Sequence, residues 1–170
     1  MLSPSHQPNL HVTREEYVKF SRLGGWLLFF VISAILSEIL IFTTAVRELM
    51  QLARFAGWIA PHVFSVFVVG QLIVFVSVVL ACIGIGQIFS RKPHFLLFDQ
   101  LGYMIYLLGI IVGTIIPLHL LGAEYSLVMP IVQLTLGMLL RTLYFCKSRR
   151  VRTYMGHDGY MDKALIKFRP

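Results

Sequence analysis

Charged residues are scarce in this chain, and their scarcity excludes an ordinary soluble domain. Of its 170 residues, 14% are charged and 57% are hydrophobic, whereas soluble domains carry about 25% charged residues and about half apolar ones. The composition is that of an integral membrane protein. Hydrophobic blocks joined by short connections use nearly the whole length, so we expect a single domain.

The chain also lacks the patterns that indicate catalysis or a bound cofactor. Its two cysteines, Cys82 and Cys146, form no CxxC pair and indicate neither a disulfide framework nor a zinc or haem attachment site. No nucleophile elbow, P-loop or dinucleotide fingerprint is present, because the glycines of CIGIGQ (residues 82–87) lie inside a hydrophobic run rather than after a strand. We therefore predict a protein that is not an enzyme and that binds no cofactor and no metal.

Four hydrophobic segments are long enough to cross a membrane as helices, for which about 20 apolar residues are needed. They lie at residues 24–46, 63–89, 101–121 and 125–146. They predict an all-α fold, a four-helix antiparallel membrane bundle at residues 24–146, between a polar arm (residues 1–23) and a basic tail (residues 147–170). The loop at residues 47–61 is either a short helix in the membrane interface or an extension of the first span, and both interpretations stay open.

The basic residues predict how the bundle is oriented. Of the 15 Lys and Arg residues, all but Arg47 and Arg54 fall on the side that carries both termini. Basic loops face the cytoplasm, so we expect both termini there, in a multi-pass membrane protein. The net charge of +7 therefore indicates contact with anionic lipid headgroups rather than with nucleic acid. The residues expected at the headgroups are Arg141, Lys147, Arg149 and Arg152.

Glu38 interrupts the first hydrophobic segment, and each other segment places a polar residue at nearly the same depth, roughly 12 Å inside the outer boundary. The four residues of this predicted polar layer are Glu38, Gln71, Thr114 and Gln133. A carboxylate in the membrane costs at least ~2.5 kcal/mol, so Glu38 should face the interior and accept hydrogen bonds from the other three. The layer either binds a proton, a cation or a polar ligand, or holds the helices together; the lack of a basic partner in it favours the structural interpretation.

Two short motifs at the ends of the membrane segment resemble a known family. RLGGWLLF (residues 22–29) opens the first span, and YFCKSRRV (residues 144–151) closes the last. They resemble the YdgK-like family of four-span bacterial inner-membrane proteins, a domain of unknown function. The family pattern is matched at Leu23, Gly24, Gly25, Trp26, Leu27, Tyr144, Phe145, Ser148, Arg150 and Val151, whereas the Thr153–Tyr154 pair comes one residue early. The resemblance implies a membrane bundle and supplies no activity.

Both motifs fall at the predicted cytoplasmic boundary, where small residues let helices approach and aromatic residues anchor in the headgroups. We therefore predict one cytoplasmic-face cluster. Its members are Gly24, Gly25, Trp26, Tyr144, Phe145, Ser148 and Arg150.

Three functions are compatible with this sequence. The one we expect is a non-enzymatic binding or accessory subunit of a larger membrane complex, with a membrane-protein partner or as a homo-oligomer, because no large extramembrane domain is present. The first alternative is a small transporter or channel-like protein that uses the polar layer around Glu38. A lesser alternative is a haem- or quinone-binding redox protein, for which His62 and His119 near the outer boundary would be the ligands.

Overall fold

A computed structural model describes residues 23–122, 128–156 and 159–167, apart from the side chains of residues 55 and 128–130. This part of the chain is helical and contains no strand. Its elements are α1 (Gly25–Phe55), α2 (Pro61–Phe89), α3 (Phe95–Ile110), a π-helical segment (Ile111–Ile115), α4 (Ile116–Leu120), α5 (Val128–Lys147), α6 (Arg149–Met155) and α7 (Gly159–Lys163).

Within the described residues, three helices are long and apolar enough to cross a membrane: Gly25–Arg54, Pro61–Phe89 and Phe95–Leu120, the last being α3, the π-helical segment and α4 in succession. The prediction of membrane-spanning helices is thus confirmed. The fourth predicted span corresponds to α5, a helix of 20 residues that is not one of these three. A bundle of four spans therefore stays a prediction.

Helix α1 is longer than the first predicted span and answers the question left open for residues 47–61. It continues to Phe55 as an extension of the same helix, because residues 48–54 are almost all good helix formers. The chain then turns before Pro61, which opens α2 at a position where its missing N–H costs nothing. The extension brings Glu48 into the helix.

Helix α3 begins at Phe95 rather than near residue 101. Asp99 and Gln100, which look like loop residues in sequence, therefore lie inside a helix, and both are buried. Polar residues at this depth are stable only if their hydrogen-bonding groups find partners. The neighbouring α5 and the C-terminal segment supply those partners, as described below.

Helices α2 and α3 form the most extensive contact of the fold, and glycines allow it. The backbone of Gly70 on α2 lies directly against that of Gly113 in the π-helical segment, and Gly109 lies against Val74. Small residues let membrane helices approach this closely. The π-helical segment precedes Pro117, whose ring nitrogen cannot donate to the carbonyl of residue 113, so the local departure from α geometry has an identifiable cause.

The apolar core lies at one end of the bundle, where α1 and α3 begin and α2 and α5 end; we call it the basic end, because Lys147 and Arg149 lie there. Helices α6 and α7 fold back and contribute to this core. Tyr160 is fully buried, and its hydroxyl donates to the Phe145 carbonyl at 2.9 Å. The described part of the tail, residues 147–156 and 159–167, is therefore part of the folded domain.

Candidate functional site

A cavity of about 290 Å³ opens between the helices, near the middle of α1. We call it the polar cleft. Its wall includes Glu38 from α1, Ser77 from α2, Leu134 from α5, and three polar residues of α3: Asp99, Tyr103 and Tyr106. The α3 residues follow the i, i+4, i+7 spacing of one helix face, which explains how a single helix lines much of the cleft.

A buried ion pair lies in the wall of the polar cleft. Arg141 on α5 places its guanidinium 2.6 Å from the Asp99 carboxylate, and the two side chains are only 11% and 7% exposed. The same guanidinium donates to the Tyr103 hydroxyl at 3.3 Å and lies 5.6 Å from the centre of that ring. Arg141 was expected to extend to the lipid headgroups; it is buried instead, because Asp99 offers it a partner that the sequence did not reveal.

Glu38 is not part of this ion pair. Its carboxylate is half-buried and lines the cleft, and within the described residues no group donates a hydrogen bond to it. Within the described residues no ion pair joins Arg141 to Glu38, and the Arg141 guanidinium is engaged by Asp99. Asp99 Oδ2 is also buried, and the described part of the chain provides it with no hydrogen-bond donor. Two acidic side chains therefore line the cleft, and the arginine paired with Asp99 keeps one N–H group, at Nε, without a partner in the described part of the chain.

The structure separates the four residues of the predicted polar layer. Gln71 donates to Glu48 at 2.6 Å rather than to Glu38. Thr114 lies beside this pair, in the wall of a second cavity of about 210 Å³. Gln133 is exposed on the outer face of α5. Glu48 was missed because the sequence placed it in a loop beyond the end of the first span.

The second cavity adjoins the polar cleft. Leu40, Ile41 and Tyr106 line both of them, so the two cavities lie next to each other along the groove between α1 and α3. The second cavity contains one carboxylate, Glu48, which already accepts a hydrogen bond from Gln71. Its polar groups are therefore better satisfied than those around Glu38.

The residues of the predicted cytoplasmic-face cluster lie at the basic end. The Arg150 guanidinium packs against Gly24 and Gly25 closely enough that a side chain at either position would touch it. The Phe30 ring lies 4.4 Å from the Tyr144 ring, centre to centre. Among the other members, Phe145 is buried in the core, and Ser148 accepts from the Val151 N–H at the start of α6. Trp26 is 67% exposed, with its ring against Phe29.

The remaining predicted headgroup residues differ in environment. Lys147 and Arg149 are exposed at the basic end, whereas Arg152 is half-buried and donates to the Cys146 carbonyl at 3.4 Å. His62 and His119 are both exposed. Among the described residues, no group of three or more His, Cys, Asp or Glu side chains could hold a metal ion.

Chemically, the polar cleft is suited to binding a positively charged group.

Sequence reasoning missed Asp99, Tyr103 and Tyr106. A signal for them exists, since they share one helical face at i, i+4 and i+7. It becomes visible only if α3 is started before Asp99, and the charge at that position argued for a loop. Arg141, considered by itself near the end of a span, gave no reason to look for a partner on α3.

Long apolar helices with a polar cleft between them define an all-helical membrane protein that crosses the bilayer more than once. More particularly, the chain belongs to the family described as "Protein of unknown function (DUF2569)", whose model matches residues 20–155. The match contains both motifs that suggested a YdgK-like family of unknown function; the YdgK-like assignment itself stays a prediction. No curated protein and no solved structure matches the chain.

Proposed function

We propose that this chain is a small, non-enzymatic transporter or channel-like protein that binds a cation or a proton at Glu38. The proposal rests on the negative charge of Glu38, which the ion pair beside the polar cleft does not neutralise. Arg141 is paired with Asp99 at 2.6 Å, so within the described part of the chain Glu38 faces the cavity without a basic partner of its own. A carboxylate in that position is stabilised only by protonation or by a bound cation.

The other groups of the cleft suit a cation. Tyr106 lines the cavity with an aromatic side chain, and aromatic side chains attract cations, whereas Tyr103 is already engaged by Arg141. The Ser77 hydroxyl donates its proton to the Val74 carbonyl at 2.7 Å, which leaves its lone pairs as acceptors. Among the described residues that line the cleft there is no Lys, Arg or His side chain.

This proposal reverses the order of the functions expected from the sequence. The accessory-subunit prediction relied on the lack of a large extramembrane domain and of an obvious catalytic site, and it predicts a broad apolar surface to bury against another protein. Exposed apolar residues do cover α1, among them Phe29, Leu36 and Leu40, but lipid would cover the same surface. A membrane-protein partner, a homo-oligomer and a haem- or quinone-binding role all stay predictions.

We further propose a bacterial inner membrane as the location, with both termini in the cytoplasm and Lys147 and Arg149 at anionic headgroups. The distribution of the basic residues supports this orientation. A green fluorescent protein fused after residue 170 tests it, because that protein becomes fluorescent in the cytoplasm and not in the periplasm. Fluorescence supports the orientation, and a dark, full-length fusion contradicts it.

Protection of Glu38 from a hydrophobic carbodiimide tests the binding site. Dicyclohexylcarbodiimide modifies carboxyl groups in apolar surroundings, and mass spectrometry of the fragments reads the modification at Glu38 and at Glu48 separately. We expect Na⁺, K⁺ or tetramethylammonium to slow the modification of Glu38 in a saturable manner. Glu48, hydrogen-bonded to Gln71, serves as the control within the same molecule.

Flux through vesicles tests the transport role. In proteoliposomes that contain a pH-sensitive dye, an imposed membrane potential or cation gradient should drive a proton or cation flux that Glu38→Gln abolishes and that Glu48→Gln retains. If no cation protects Glu38 and the flux does not differ between the wild type and Glu38→Gln, the proposal is wrong.

A further inference from the structure

Glu38 also lines a second opening, which lies on the outer side of the helix pair α1–α2. It is a groove of about 370 Å³, which we call the apolar groove. Apart from Glu38, its lining is apolar or nearly so: Ile35, Ile39 and Phe42 from α1, and Val78, Cys82 and Ile85 from α2. Ile39 is 54% exposed and Phe42 is 46% exposed, so the groove lies on the surface that the lipid chains would contact.

Glu38 lines both the polar cleft and the apolar groove. The geometry of α1 explains this double position. At 3.6 residues per turn, Ile41 lies about 60° to one side of Glu38, and Ile35 lies about 60° to the other. Ile41 is part of the polar cleft, whereas Ile35 is part of the apolar groove. The carboxylate therefore lies on the boundary between a polar interior space and an apolar exterior one.

A ligand that fills both spaces must carry a positive charge and an apolar chain. Glu38 provides the negative charge, and Tyr106 lines the same cleft with an aromatic side chain that can contact the cationic head. The apolar groove gives no polar partner other than Glu38 to such a ligand. A hydrated inorganic ion makes no use of the groove, and the phosphate of a lipid would be repelled by Glu38.

We infer that the cation bound at Glu38 is an amphipathic organic cation that reaches the site from the lipid side. Its charged head lies in the polar cleft, and its apolar chain lies in the apolar groove between α1 and α2. This inference rests on the proposed cation site and adds to it the class of the substrate and the direction of access.

The test compares two cations with the same head. Tetramethylammonium and octyltrimethylammonium are used to protect Glu38 from the carbodiimide, with the full-length protein in vesicles of phosphatidylcholine and phosphatidylglycerol. Cys82→Phe fills the apolar groove, because Cys82 is exposed and lines it. Val76→Phe is the matched control, since Val76 is 52% exposed on the same helix and is not part of the groove.

The octyl chain should lower the protecting concentration by up to about fourfold for each methylene that leaves water. Much of this gain comes from partitioning into the bilayer, so the decisive result is the difference between the two variants. We expect Cys82→Phe to weaken protection by octyltrimethylammonium at least tenfold relative to Val76→Phe, with tetramethylammonium equally effective in both variants.

Two results overturn the inference, and they are distinguishable. Equal protection by octyltrimethylammonium in Cys82→Phe and Val76→Phe means that the chain stays in the lipid and that the apolar groove is not part of the site, while the cation site itself stands. If neither cation protects Glu38 in any variant, the proposed function fails together with the inference.

Discussion

The guanidinium of Arg141 lies 2.6 Å from the carboxylate of Asp99 and connects α5 to the first turns of α3. Because this arginine is already paired, Glu38, which lines the same cleft as Asp99, has no basic partner among the residues that the structure describes. This pair thus joins α5 to α3, and it leaves the charge of Glu38 for the cation of the proposed site.

Removing one member of that pair should be far more harmful than removing both. Asp99→Leu leaves Arg141 buried and unpaired, which costs about 3–5 kcal/mol, whereas the double variant Asp99→Leu/Arg141→Met leaves no charge behind. We expect a large fall of the unfolding temperature in detergent for the single variant and a much smaller one for the double variant. Equal losses in both would mean that the pair contributes through packing alone.

Asp99→Asn should also change the candidate site. With the negative charge of Asp99 removed, the Arg141 guanidinium becomes available to Glu38, whose carboxylate lines the same cleft as residue 99. We expect cations to protect Glu38 from the carbodiimide at least tenfold less well, in protein that still elutes as a single species. Unchanged protection would show that Arg141 does not compete for Glu38.

A methyl group at Gly70 should force α2 and α3 apart. The added carbon would overlap the backbone of Gly113, which cannot move aside as a flexible side chain can. We expect Gly70→Ala to destabilise the fold by several kcal/mol or to prevent folding, since overpacking alone costs about 1–3 kcal/mol. Gly137→Ala, at a position with open space around it, is the control and should be as stable as the wild type when thermal unfolding is compared.

Gln100 should hold the C-terminal segment in place. Its amide oxygen accepts from the Leu165 and Ile166 N–H groups at 2.7 and 3.1 Å, and its amide nitrogen donates to the Ile166 carbonyl at 3.0 Å. Gln100→Leu removes all three bonds and should raise hydrogen exchange at residues 164–166 without unfolding the rest. The exposed Gln133→Leu is the control, and similar exchange in both variants would contradict the role of Gln100.

The two glycines beside Arg150 should respond differently to alanine. Gly25 has a φ of +54°, a left-handed conformation that costs other residues about 1–2 kcal/mol. Gly24 has an extended backbone, and an added carbon would meet only the movable end of the Arg150 side chain. We expect Gly25→Ala to lower the unfolding temperature more than Gly24→Ala does; the reverse order would show that contact with Arg150 matters more than backbone strain.

The candidate site was predictable only in part. Glu38 stands out in sequence, because a carboxylate within a long apolar run needs a reason. Its surroundings were not predictable, since matching depths along separate helices say nothing about which faces meet. Gln71 is near the expected depth yet bonds to Glu48, and Gln133 is on the outer face of α5. Depth follows from counting residues, whereas helix rotation follows from packing.

The sequence by itself determined that this protein is helical and crosses a membrane, because apolar length and backbone hydrogen bonding leave long segments like α2 no other structure in lipid. Motifs at residues 22–29 and 144–151 also marked a family of unknown function. Only the tertiary structure decided which charges meet. Asp99 and Arg141 are far apart in the chain, and close packing of α3 with α5 joins them and leaves Glu38 between a polar cleft and an apolar groove.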